Sequence, residues 1–305
     1  MVGVTSCALA SDAPSQAMTP TKTVITQETK IRLLMLPAFR ISLTALCGAL
    51  LALPLSAHEF WIEPREFQVE TSEPVEARFL NGQNFEGGEL AYFQTQADRF
   101  DIVQNAQSAP YTGRMGDIPA VQLPDGVQDG LLVLAYESVP ASLKYKTWQE
   151  FQAFADHKGF ADIQERHRAR GLPDKDFFET YSRHVKTLIG VGEAAGRDRA
   201  LGLQTEIVAL DNPYRLADPR DLRVQVLYQG TPRAAAQLEV FDRAPDGQVT
   251  VTTQRTDADG MATVRVTPGH AYHLDSVVLR PAPDKDRSVW RSLWAGLTFA
   301  VPAPD

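Results

Sequence analysis

The stretch LRVQVLY, residues 222–228, places an apolar side chain at almost every second position. The same alternation recurs in ATVRV, residues 262–266, and in LWAGLTF, residues 293–299. Successive side chains of a β-strand point to opposite faces, so this pattern predicts strands with one buried face and one solvated face. Such strands are typical of an antiparallel β-sandwich.

Glycine-containing turns separate these strands at short intervals. They are YQG at 228–230, PDG at 245–247, DADG at 257–260 and TPG at 267–269. Turn signals at this spacing favour an immunoglobulin-like or prealbumin-like module. The sequence therefore predicts a C-terminal β-sandwich domain over residues 201–305.

The region before it also contains short apolar runs, such as VEARF at 75–79 and GLLVLAY at 130–136, broken by Gly, Pro, Asn and Asp. These runs predict a second sheet-rich unit. We expect a mainly β fold built from two β-sandwich units, with an N-terminal domain at 58–200.

Helical signals interrupt the N-terminal domain at about 147–190. Thr147 and Glu150 have the spacing of a capping box, and Phe151 and Phe154 follow at helical spacing. A further helix is predicted over 174–189, because four residues fall on one helical face: Phe177, Tyr181, His184 and Leu188.

An apolar run, ISLTALCGALLALPLSA at 41–57, follows Arg40 and ends in small residues. It predicts a signal peptide cleaved after Ala57, which would make His58 the first residue of a periplasmic or secreted protein. A membrane anchor is the alternative, but the run is shorter than the roughly 20 apolar residues that usually cross a bilayer. Residues 1–34 are polar and precede Met35, and we interpret them as a start-site artefact or a disordered segment.

Composition excludes several classes of protein. The two cysteines, Cys7 and Cys47, both lie in the leader, so the processed chain has no disulfide and no thiolate site. The leader holds four basic and two acidic residues, which leaves the processed chain a formal charge of −10. This charge argues against a nucleic-acid partner. No glycine-rich nucleotide motif and no recognisable catalytic motif occurs, so we predict neither a nucleotide partner nor catalytic residues.

His58 is the candidate metal ligand. If cleavage follows Ala57, its free amine and its imidazole can chelate one divalent ion, and such nitrogen ligands suit nickel, cobalt, copper and zinc. The alternative is that signal peptidase leaves an arbitrary first residue, since two ligands are too few for a defined site.

The other histidines form no obvious cluster. His157 and His167 have charged neighbours, which predicts solvent exposure. His184 is predicted to be a hydrogen-bonded histidine at the edge of the core. His270 and His273 would point to opposite faces of a strand, and could share a metal only if His270 belongs to the preceding turn.

Four segments resemble an exported bacterial family catalogued as domain of unknown function 4198: HEFWIEP at 58–64, NGQNFEG at 81–87, ETYSRHVKTL at 179–188 and WRSLWAGLTF at 290–299. Its members are often labelled the periplasmic component of cobalt or nickel uptake systems. The resemblance implies an exported, sheet-rich protein of transition-metal handling, with His58 as the matching metal candidate. His184 departs from the family pattern, where an aromatic residue follows the Ser-Arg pair.

Three functional hypotheses follow. The first is a non-catalytic periplasmic protein that binds nickel, cobalt or copper in support of a membrane uptake system. The second is a structural or carbohydrate- or protein-binding β-sandwich module. The third is a copper-dependent oxidative enzyme that uses His58, although a second histidine facing the first is not evident from the sequence.

Overall fold

Strands provide most of the regular structure in the computed structural model, which describes residues 58–105, 107–124, 127–216, 220–283 and 286–304. The predicted leader and signal peptide, residues 1–57, lie outside the described residues. The N-terminal elements are β1 (Glu59–Pro64), β2 (Gln68–Val69), β3 (Val75–Gln83), β4 (Glu86–Leu90), a 3-10 turn (Gln94–Gln96), β5 (Ala97–Gln104), β6 (Gln107–Pro110), β7 (Val121–Leu123), β8 (Gly130–Ser138), β9 (Ala141–Tyr145), helix α1 (Trp148–His157), helix α2 (Ile163–Ala169) and β10 (Phe177–Val191). The C-terminal elements are β11 (Thr205–Ala209), β12 (Asp221–Tyr228), β13 (Thr231–Pro232), β14 (Gln237–Arg243), β15 (Val249–Arg255), β16 (Met261–Arg265), β17 (Ala271–Pro281) and β18 (Trp290–Ala300).

The described strands form three sheets, and the predicted mainly β fold is confirmed. A ten-stranded sheet has the order β15-β14-β17-β18-β10-β8-β5-β6, with β2 and β9 also paired to β10. One four-stranded sheet contains β1, β3, β4 and β7, and the other contains β11, β12, β13 and β16. Strands from both sides of residue 200 share the large sheet, and the domain boundary at 200–201 stays a prediction.

The two small sheets cover opposite faces of the large one. Along β8, Leu131 and Val133 pack in one core cluster with residues of β12, whereas Leu132 and Leu134 pack in another with residues of β1 and β3. Neighbouring strand residues point to opposite faces, so the large sheet is buried on both sides. We call the side covered by β1 and by the helices the front face.

The helical insert is shorter than predicted. Helix α1 starts as expected, with the Thr147 side chain accepting a hydrogen bond from the Glu150 amide at 3.3 Å. The helices pack on the front face in an aromatic cluster that includes Phe151, Trp290 and Trp294. Within the described ranges, no helix is long and apolar enough to cross a bilayer.

The helix predicted over 174–189 is wrong, because Phe177–Val191 is the long strand β10. It pairs in parallel with β18, from Glu179 opposite Trp290 to Thr187 opposite Thr298. A central strand that is covered on both faces loses the apolar–polar alternation. In β10, the rings of Phe177, Tyr181 and His184 also recur at helical spacing, which led to the helix prediction. The charged residues Glu179, Arg183 and Lys186 of this strand are buried instead of facing solvent.

Candidate functional site

The candidate metal ligand lies at the start of β1, against the front face of the large sheet. The His58 side chain is exposed and has no hydrogen-bond partner among the described residues. Its carbonyl oxygen accepts a hydrogen bond from Nη2 of Arg183, a residue of β10. The backbone of residue 58 is therefore held, while its imidazole has no partner in the part of the chain that the structure describes.

A buried group of charges, the Lys158 cluster, begins one residue further along. It consists of Lys158, Glu59, Glu239, Asp275 and His157. Lys158 follows helix α1, and its Nζ donates to Glu59 Oε1 at 3.0 Å, to Asp275 Oδ2 at 3.0 Å and to Glu239 Oε2. His157 Nε2 lies 2.9 Å from Glu239 Oε1. The cluster thus joins β1, the helical insert, β14 and β17.

Burial and pairing act in opposite directions on these groups. Burial alone would lower the pKa of Lys158, but Asp275, Glu239 and Glu59 raise it. Burial raises the pKa of Asp275 to about 6 despite the adjacent ammonium. The hydrogen bond to Glu239 raises the pKa of His157. The ammonium occupies the point where the three carboxylates converge, so these carboxylates are not free to hold a metal ion.

Arg183 is a buried cation of a different kind. It is 7% exposed, and its guanidinium lies 4.4 Å from the Trp294 ring centroid and 5.1 Å from that of Tyr181. Burial lowers the pKa of Arg183. Among the described residues, no carboxylate forms an ion pair with it and its Nη1 has no hydrogen-bond partner. Removing a charge from water is unfavourable unless it is paired, which makes this arrangement unusual.

A cleft of about 410 Å³ opens beside Arg183 and the start of β1. Its apolar lining includes Phe60, Leu90, Tyr136 and Val139, and its polar lining includes Asn81 and Gln96. Arg183 lines the cleft and also donates to the His58 carbonyl, so the cleft lies close to the backbone of the candidate metal ligand. The volume lies in the range of small-molecule sites.

The predicted solvent exposure of His167 is wrong. The side chain is fully buried, with Nδ1 accepting from Trp290 Nε1 at 3.0 Å and Nε2 at 3.0 Å from the Pro173 carbonyl. Helix α2 turns this residue inward against the aromatic cluster while the flanking arginines stay at the surface. His157 is half-exposed, as predicted.

The remaining histidines do not share a site. His184 is buried and hydrogen-bonded to Glu137 at 2.7 Å and to Ser182 at 2.9 Å. The predicted hydrogen-bonded histidine is confirmed, although it lies in a strand and not in a helix.

The two histidines near the start of β17 have separate partners. His270 contacts Asp242 at 2.7 Å. His273 is buried among Trp61, Phe85 and Phe241, with Nδ1 3.1 Å from Thr298 Oγ1.

No group of three or more His, Cys, Asp or Glu side chains in the described part of the chain is arranged to hold a metal ion. Among the described residues, the pair of donors that the sequence analysis singled out, the His58 imidazole and the amine that cleavage would free, is therefore the candidate set for the implied metal. This pair needs no partner from elsewhere in the fold.

Sequence reasoning missed the Lys158 cluster. Its carboxylates interrupt apolar strand segments, Glu239 in QLEVF and Asp275 in HLDSVVL. A charged residue at an inward strand position is a signal of buried pairing. Their partner, Lys158, is far away along the chain, so the sequence does not identify it.

Comparison with known proteins gives the class of this protein. The profile of the family described as domain of unknown function (DUF4198) matches residues 55–278. The chain belongs to this family, as the resemblance implied. The family description assigns no metal and no transport role.

No curated protein matches the chain. Among solved structures, the D0-D1 domain of Intimin is similar over 78% of this chain and 97% of that chain, with 13% identity and a TM-score of 0.19. A likeness this low supports no inference about function.

Proposed function

We propose that this protein is a non-catalytic periplasmic protein that binds a divalent transition metal at His58 and supports its uptake across a membrane. Nickel and cobalt are the expected cargo, and copper is the third candidate. The carrying observation is that His58 combines an anchored backbone with an exposed imidazole that has no partner among the described residues.

The anchoring supports the proposal physically. Arg183 holds the carbonyl of residue 58, and Lys158 holds the side chain of residue 59. A chelating residue fixed in this way loses less conformational freedom when it binds an ion. Two nitrogen ligands leave further coordination positions for water or for a second carrier, which suits reversible capture and transfer.

The metal would reach the terminal amine only in the processed protein, since the peptide bond to Ala57 makes that nitrogen a non-basic amide. Export and cleavage would therefore switch on binding. Protons compete with the metal for both nitrogens, so affinity should fall as the pH is lowered.

The test is calorimetric titration with nickel, cobalt and copper salts of processed protein whose first residue is confirmed by mass spectrometry. The variant His58→Ala should lose most of the affinity. Addition of one alanine ahead of His58 should have the same effect, because it keeps the imidazole and removes the basic amine. His270→Ala, at a partly exposed histidine paired with Asp242, is the matched control and should bind normally.

Tight binding by the extended protein would disprove terminal chelation. If neither the wild type nor any of these variants bound the metals, the structural or carbohydrate-binding interpretation would replace metal handling. Oxidative turnover by the copper-loaded protein would favour the enzyme hypothesis instead.

A further inference from the structure

The buried guanidinium of Arg183 has an unused hydrogen-bond donor beside a cleft. Nη2 is engaged by the His58 carbonyl, while Nη1 has no partner among the described residues. Arg183 itself lines the cleft. The side chain is 7% exposed, so water does not replace the missing partner freely.

The nearby carboxylates are committed elsewhere. Glu59 and Asp275 bind Lys158, and Glu179 accepts hydrogen bonds from Tyr145 at 2.6 Å and from Ser292. Among the described residues, the guanidinium therefore hydrogen-bonds to a neutral carbonyl, and the carboxylates of Asp275, Glu59 and Glu179 act on it only through space. An unpaired buried charge is unfavourable, and an incoming anion would relieve it.

We infer that this cleft binds the carboxylate of a small organic acid, with Arg183 as the anion receptor. This inference goes beyond the proposed metal function and does not depend on it. A carboxylate oxygen on Nη1 would give this unpartnered donor an acceptor next to the His58 carbonyl. Charge-assisted bonds of this type are stronger than neutral ones.

The lining indicates the rest of the ligand. Phe60, Tyr136 and Leu90 present apolar surface, whereas Asn81 and Gln96 offer neutral amides. Arg183 is the one cationic residue in the lining. A single cation with apolar walls suits a monocarboxylate with a short hydrocarbon body better than a phosphate or a polycarboxylate, which would need more positive charge.

Access to Nη1 requires a side chain of the cleft to turn aside. Leu90 and Val139 are 42% and 37% exposed, so either can move without opening a core. The rings of Trp294 and Tyr181 keep the guanidinium in place during this movement.

The test is ligand-observed NMR titration of the protein in EDTA with benzoate, hexanoate and phenylacetate. At least one acid should bind in the millimolar range or tighter. Benzamide, the neutral isostere of benzoate, should bind at least tenfold more weakly. Failure of all three acids to bind, or equal binding of benzamide and benzoate, would overturn the inference.

Two variants locate the site. Arg183→Met, with its fold checked by circular dichroism, should abolish carboxylate binding, and the next variant tests the site with Arg183 in place. Val139→Trp fills the cleft without altering Arg183 and should weaken binding at least tenfold. Val251→Trp is the matched control, because Val251 is 39% exposed and lies on β15, outside the cleft lining. Unchanged binding by Val139→Trp would place the acid elsewhere and disprove the assignment.

Discussion

Lys158, directly after helix α1, and Glu59, at the start of β1, form a buried ion pair with Nζ 3.0 Å from Oε1. The pair ties the residue next to His58 to the helical insert. Through Glu239 and Asp275, the same ammonium reaches two strands of the large sheet. The position of the candidate metal ligand therefore depends on contacts between segments that are far apart in the sequence.

Replacing Lys158 by methionine should destabilise the protein by about 3–5 kcal/mol, because three buried carboxylates lose their common counter-ion. Denaturant unfolding measures the change. Lys144→Met is the control, since Lys144 pairs with Asp176 at the surface and its loss should change stability little. Equal effects of the two substitutions would show that the Lys158 cluster contributes no more than a surface pair.

Glu179 should make the protein less stable as the pH rises. Burial raises the pKa of Glu179 from 4.5 to about 7 in the folded state, against the lowering effect of hydrogen bonds from Ser292 and Tyr145. The folded state then binds this proton more tightly than the unfolded chain does. The stabilisation that the proton provides is complete below pH 4.5 and is lost by about pH 7.

Glu179→Gln should remove this loss, which can reach about 3 kcal/mol. Unfolding free energies measured across that pH range give the comparison. Glu165→Gln, at an exposed position of helix α2, should keep the wild-type profile. A wild-type slope retained in the Glu179 variant would contradict the assignment.

His273 should have the opposite effect on acid stability. Burial, aided by the positive charges of Lys158 and Arg183, lowers the pKa of His273 to about 3. The unfolded chain therefore takes up the proton first, and stability present above pH 6.5 is lost as the pH falls toward 3. His273→Phe should lose less stability than the wild type between these pH values, whatever its absolute stability. Parallel profiles for the two proteins would refute this expectation.

Gly82, the glycine of NGQNFEG that lies in β3, cannot be replaced by a larger residue without a steric clash. A Cβ at Gly82 would lie 1.9 Å from the carbonyl oxygen of Glu86, across the β3–β4 hairpin. Gly82→Ala should therefore destabilise the protein by about 1–3 kcal/mol or more, as overpacking does. Gly88→Ala is the matched control in the same hairpin, because no atom lies within 4 Å of its Cβ position. Thermal unfolding of both variants decides whether the clash is real.

Several elements could be predicted because their signals are local. Strand β12 alternates buried and solvated residues, and strand β16 does the same, so binary pattern alone identifies them. Helix α1 begins at a capping box whose donor and acceptor are three residues apart. The family segments and the candidate His58 were likewise evident in the sequence.

Strand β10 could not be predicted in this way. Its residues are buried from both sides, so alternation disappears and ring spacing imitates a helix. Lys186 in this strand is buried because Asp198 and Glu206, at 2.8 and 3.0 Å, pair with it. In a strand without apolar–polar alternation, no inward position can be recognised from the sequence, so the burial of this lysine has no local sign.

The sequence by itself determined where strands alternate, where helix α1 starts and which residue would follow the predicted cleavage site, since each of these depends on neighbours along the chain. Only the tertiary structure decided that Lys158 meets Glu59 and Asp275, which are 99 and 117 residues away. It also decided that Arg183 lies against His58 with no carboxylate of the described residues in direct contact. The free energy of a buried charge depends on which groups surround it in space, and packing of distant strands sets those groups.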